Sequence, residues 1–271
     1  MYSYYNFFTD NDWLNRPGPS YAFKLDHILF IVIAMAIGVF LAIFLSKKSK
    51  KTVYIVLISL YALYVLDLGI YYGFTYAQCI ADPTNHPFNI ETMLPFHSCT
   101  MFLYICPIAL FVKNKIIKTA TCNFLVVVNM IMGFITLFVG CPGPGYAALS
   151  FMGFHTLLYH SIIVIVPLIM LTTNYYDLKM KDILYGLAVF GILGVIMWTF
   201  DHFSGCDYFY FYDGHTFPVF KFISENVHHL VWTLIVGSCY IITAVAVHFL
   251  VVLVKYLIHR KDKKQLTNTE E

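Results

Sequence analysis

Long apolar stretches separated by short polar breaks dominate the chain. They cover residues 28–45, 53–74, 94–112, 119–139, 153–171, 183–200 and 230–254. Each approaches the ~18–20 residues that a helix rising ~1.5 Å per residue needs to cross a hydrocarbon core of ~30 Å. The pattern predicts an all-α polytopic membrane protein, a bundle of seven transmembrane helices. A polar, aromatic-rich segment without a basic start precedes the first stretch, which therefore reads as a retained helix and not as a cleaved signal. Turn-forming residues mark the breaks: Asp82-Pro83, His86-Pro87, Cys141-Pro142-Gly143-Pro144-Gly145, Ser204-Gly205 and Asp213-Gly214. No internal repeat or long polar linker divides the chain. The expected plan is an outer N-terminal segment over 1–26, a transmembrane domain over 27–257, and a basic, polar cytoplasmic tail over 258–271.

Composition agrees with this pattern. The 271 residues are 59% hydrophobic and 12% charged, which excludes an ordinary soluble domain of this size. Many tyrosines lie near segment ends, where a ring meets the headgroup region and a hydroxyl meets water. The net charge of +2 gives no sign of nucleic acid as a partner. Orientation follows from the placement of the basic residues. Fourteen of the 17 lie in the odd-numbered loops and the tail, leaving Arg16, Lys24 and Lys221 on the other side. This bias predicts an outside N-terminus and a cytoplasmic C-terminus.

Candidate chemistry collects at the predicted outer end. Nine of the 11 histidines fall there: His27, His86, His97, His155, His160, His202, His215, His228 and His229. Ionisable residues within membrane spans are costly and face a bundle interior or a wet cavity; Asp67, Glu91 and Asp201 join the histidines in this band. Cys99 is the candidate nucleophile. Pro95 is suited to start a helix, and a thiol in the first turns of that helix would have its thiolate favoured by the helix dipole. His97, two residues away, would not face it on a helix. The base is expected from another helix, with His155 first and His202 or His228 orienting it or stabilising an oxyanion. His97, Tyr159, His160, Asp201 and Asn226 are the expected substrate-contacting residues, with His160 deeper than His155. The seven cysteines include no CxxC pair, and Cys79, Cys141 and Cys206 lie on the outer side, where a disulfide is chemically allowed. The chain has no HExxH, phosphate loop or GxSxG elbow, so neither a metal nor another cofactor is expected. A non-enzymatic binding or transport protein, with outer histidines holding a metal ion or a solute, is the alternative.

Four of these elements together resemble the transmembrane protein 164 acyltransferase family, including its bacterial YwaF-like branch. Leu94-Pro95-Phe96-His97-Ser98-Cys99 is similar to the LPxHxC helix start of the YwaF-like proteins, and His155-Thr156-Leu157-Leu158-Tyr159 to the family's HxxLY start. His202-Phe203-Ser204 is similar to its HFS element and His228 to a histidine that opens the last helix. The resemblance covers approximately residues 50–257. It implies a multi-pass membrane enzyme that moves acyl chains on phospholipids with a cysteine nucleophile and a histidine partner, the membrane phospholipid or another acyl-lipid being its substrate. His155 matches the family histidine by position. Eukaryotic members carry the cysteine immediately after the helix-starting proline, whereas this chain has Phe96 there and its thiol three residues later at Cys99.

Overall fold

A computed structural model describes residues 23–84, 86–139, 150–212 and 218–267. The 141–145 and 213–214 turn residues, His215, and most of the expected N-terminal segment lie outside them. Among the described residues there are only helices and connections: α1 (Leu25–Ser46), α2 (Lys50–Ala81), α3 (Ile90–Met93), α4 (Phe102–Phe111), α5 (Lys115–Phe124), a π-helical turn (Leu125–Asn129), α6 (Met130–Val139), α7 (Phe151–Thr172), a 3-10 turn (Met180–Asp182), α8 (Ile183–Ser204), α9 (Pro218–Asn226) and α10 (His229–Thr267). Several boundaries are set by local polar chemistry. Ser49 and Ser150 accept backbone N–H groups at the starts of α2 and α7, and Asn114 accepts two at the start of α5. Gly205 ends α8 in the left-handed region, at φ 73°, with its N–H on the Asp201 carbonyl.

Six of these segments are long and apolar enough to cross a membrane: Leu25–Ser46, Lys50–Ala81, Lys115–Phe138, Phe151–Thr172, Met180–Ser204 and His229–Tyr256. The protein is an integral, multi-pass membrane protein. The expected seventh span, over 94–112, is corrected. Only Phe102–Phe111 is helical there, 10 residues or ~15 Å, about half a hydrocarbon core. Pro95 carries no N–H and biases the preceding residue away from helix, and Leu94 is accordingly extended, at φ −109° and ψ 136°. The chain then passes through turns at 98–101 before α4 begins. Such irregular backbone is tolerated at membrane depth when protein covers it.

Helix α7 forms the centre of the bundle. In its most apolar window 78% of the residues are buried, against 22% in α1, α2 and α10 and 17% in α8. It packs against α1, α2, α6 and the π turn. The other spans turn Leu, Ile, Val and Phe side chains outward, as lipid-facing surfaces require. Close approach of α6 to α7 depends on Gly133, where an added Cβ would meet Ile163 Cγ2 at 2.9 Å and the His160 carbonyl at 3.2 Å.

Gly133→Leu should therefore overpack this contact and cost ~1–3 kcal/mol. At Gly69 an added Cβ meets nothing within 4 Å, and Gly69→Ala should stay within ~0.5 kcal/mol of the wild type. Melting midpoints of the purified chain in detergent check both, and equal effects would contradict the packing described.

Candidate functional site

Polar side chains meet in a buried band where α2, the 94–101 segment, the π turn, α7 and α10 come together. The α2 face that turns inward carries Tyr61, Tyr64, Asp67, Leu68, Tyr71 and Thr75 at three- and four-residue spacings. Opposite it, α7 presents His155, Tyr159 and His160. His155 Nδ1 lies 2.7 Å from Asp67 Oδ2, with the two side chains only 5% and 11% exposed. A carboxylate can only accept, so Nδ1 carries the proton, and the Nε2 lone pair is left for chemistry. Tyr71 stacks on the imidazole at 4.2 Å with the rings 2° from parallel, and Tyr159 lies at 4.9 Å. Ring position and tautomer are thus both held, as a general base requires of its orienting group.

His160, one turn further along α7, sits against Tyr159 at 3.8 Å. Its Nδ1–H donates to the Thr156 carbonyl at 2.7 Å, which leaves Nε2 as a buried acceptor with no partner among the described residues. The Tyr64 hydroxyl and Asn129 Oδ1 are likewise buried and without hydrogen-bond partners among the described residues. Buried orphans of this kind cost ~1–3 kcal/mol each. These three atoms leave the band with hydrogen-bonding capacity that a polar ligand atom could meet.

Cys99 belongs to this band, but not as the sequence suggested. It precedes the first residue of α4 and lies in the turn over 98–101, its carbonyl accepting from Phe102 N at 3.3 Å. The expectation of a thiol inside the first helical turns, activated by the dipole, is corrected because Pro95 does not start the helix. The turn is held from across the bundle. Asn129, at the end of the π turn and fully buried, donates through Nδ2 to the Ser98 carbonyl at 2.8 Å and the Cys99 carbonyl at 3.3 Å. The Tyr240 hydroxyl donates to Ser98 Oγ at 3.1 Å. A π turn inserts one residue into the helical register and recurs at functional sites; here it delivers the side chain that grips the cysteine-bearing turn. The hydroxyls of Tyr64 and Tyr240 are close enough to Cys99 to interact with it electrostatically. The hydrogen bond of the His155 side chain goes to Asp67 and not to the thiol.

The remaining expected residues lie nearer the end of the bundle. His97 packs edge-on against Tyr208 at 5.0 Å. Tyr208 belongs to a segment over 205–212 that is tied down by Trp232 Nε1 on the Tyr210 carbonyl and by Thr233 on the Phe211 carbonyl. Burial pushes the Tyr208 phenol above its ordinary value, and its hydroxyl stays a donor to the Ile90 carbonyl. Asp201 is buried and accepts the Tyr208 N–H at 3.1 Å, so its carboxylate secures the segment. His202 is exposed, with Nδ1 2.7 Å from the Tyr212 hydroxyl and its ring over Trp198. His228 is exposed and accepts from Leu230 N at 3.3 Å, while Asn226 donates to the Phe222 carbonyl. Cys79 and Cys206 are free thiols, and Cys141 lies outside the described residues. Among the described residues no three His, Cys, Asp or Glu side chains gather as a metal-binding group.

The sequence model of the TMEM164 family matches residues 22–258. Comparison with curated proteins and with solved structures gives no match at a significant level.

Asn129→Leu should release the two carbonyls and loosen the 98–101 turn. Iodoacetamide alkylation of Cys99 is expected to speed up roughly tenfold, the size of a ~1.4 kcal/mol loss of local stability. Cys79, a free and half-buried thiol in the last turn of α2, serves as the internal reference; an unchanged ratio of the two rates would contradict the grip assigned to Asn129.

Proposed function

The chain belongs to the TMEM164 family, and on that premise we propose that it transfers acyl groups between membrane lipids, with Cys99 as nucleophile and His155 as base. The observation that carries this reading is the buried Asp67–His155 pair, 2.7 Å apart, in the same polar band as the Cys99 turn. A carboxylate that orients an imidazole supplies the base half of a nucleophilic acyl-transfer site, and the Cys99 thiol would be its nucleophile.

The steps follow from the groups present. His155 Nε2 takes the Cys99 proton as Sγ attacks the ester carbonyl of an acyl-lipid. The tetrahedral intermediate collapses with cleavage of the C–O bond, and the leaving alkoxide receives the proton from His155 Nε2. The acyl group then rests on Cys99 as a thioester. An acceptor hydroxyl gives its proton to His155 and attacks that thioester, and the thiolate leaves and is reprotonated. Asp67 stabilises the imidazolium that forms twice in this cycle. Cys99 Sγ and His155 Nε2 must come within hydrogen-bond reach in the substrate-loaded enzyme.

The basic-residue bias supports an outside N-terminus, a cytoplasmic C-terminus and entry of lipid from the outer side. In that orientation the chain would recross between α2 and α5 through the 94–101 turns and the short α4 together, and the Cys99 turn would lie within reach of a lipid ester whose chains remain in the bilayer. His97, Tyr159 and His160 would line the path inward. His202, His228 and Asn226, nearer the headgroup level, would meet the polar end of the substrate, and Asp201 would support them by holding the 205–212 segment.

The test is transfer of a labelled acyl chain from phospholipid by the purified protein in lipid nanodiscs. Cys99→Ser and His155→Ala should each lower turnover by ~10²–10⁴-fold, and Asp67→Asn should lower it in the same direction by way of the imidazole tautomer. Wild-type turnover in the Cys99 and His155 variants would overturn the mechanism.

A further inference from the structure

The turn between α1 and α2 carries chemistry unrelated to the Cys99 band. A cavity there is lined by Phe40, Ile43, Phe44, Lys47 and Lys48. Its floor is the lipid-facing side of α1, where Phe40 and Phe44 stack at 5.9 Å and 15°, and where Phe40 and Ile43 are 64% and 60% exposed. Its rim is cationic. Lys48 Nζ stands 4.4 Å from the centre of the Phe44 ring, which fixes one ammonium at the mouth. Lys47 follows the last residue of α1, and Lys50 and Lys51 begin α2. None of these four lysines makes an ion pair among the described residues. An apolar wall that continues into the bilayer and ends in unneutralised ammonium groups is complementary to one kind of molecule, an amphiphile with a negative head.

We propose that this groove binds an anionic phospholipid, with its phosphate between Lys47 and Lys48 and one acyl chain laid along Phe40, Ile43 and Phe44. Free inorganic phosphate would find the same ammonium groups but would gain nothing from the rings, and a zwitterionic lipid would gain the rings while bringing its own cation to the rim. Charge spread over all four lysines would attract anionic lipid without regard to the groove. The groove model instead separates the two lysines that line it from the two that follow.

The experiment is a melting-midpoint titration of the full chain, purified in dodecyl maltoside, with dioleoylphosphatidylglycerol, dioleoylphosphatidylcholine or inorganic phosphate. Phosphatidylglycerol should raise the midpoint saturably, and the other two should not. Lys47→Gln with Lys48→Gln should weaken the apparent affinity roughly tenfold or more, whereas Lys50→Gln with Lys51→Gln should change it about twofold or less. Lys47→Arg with Lys48→Arg should retain binding, and Phe40→Ala should weaken it. All these side chains lie at the protein surface or its rim, so the variants should fold. Equal stabilisation by phosphatidylcholine or by phosphate, equal loss in the two glutamine pairs, or full affinity in Phe40→Ala would each overturn the proposal.

Discussion

A carboxylate and an imidazole placed inside an apolar bundle have to find each other, and much of this molecule is arranged so that they do. Leaving one of such a pair unpaired costs several kcal/mol. Asp67 on α2 and His155 on α7 meet this requirement directly, at 2.7 Å, under the flat face of Tyr71. The pairing ties α2 to the central helix. It also sets which imidazole nitrogen carries the proton, so one interaction serves both the packing and the proposed chemistry.

The same demand for internal partners accounts for the surrounding architecture. The irregular backbone at 94–101 would be intolerable against lipid, and two of its carbonyls are met from inside by Asn129. Asn129 stands at the end of the π turn, where the register slip changes the direction in which a side chain leaves the helix. Helix α7 can supply His155 and His160 to this region because it is the most enclosed of the spans. Its enclosure depends on close approaches such as that at Gly133. The polar band is thus a product of the packing at the bundle centre and not of any one helix.

Six of the spans could be read from apolar run length alone, because lipid imposes that length directly. Over 94–112 run length misled: the residues are apolar enough, but Pro95 and the following turns leave only a short helix, and composition does not record where a backbone stops hydrogen-bonding to itself. His155, His160 and Cys99 were legible as polar residues at similar depth. Asp67 was visible as an ionisable residue in a span, and the cost of that placement was the signal that a partner must exist. Its identity was not legible, since His155 is 88 residues away in the chain. Asn129 was visible only as a polar residue in an apolar run, and its partners were not legible because a π turn has no characteristic composition. His202, His228 and Asn226 shared the outer end in sequence, but the structure places them on its exposed surface, apart from the buried pair.

Asp67 holds the His155 proton on Nδ1, which makes Nε2 the base of the proposed transfer. Nitrogen-15 NMR of the histidine-labelled full chain in lipid, with His155 assigned by difference against His155→Gln, tests it most directly. The 2.7 Å contact with the Asp67 carboxylate requires a proton on Nδ1, with that preference weakened in Asp67→Asn. An Nδ1 without a proton in the wild-type protein, or a proton placement indifferent to Asp67, would contradict it.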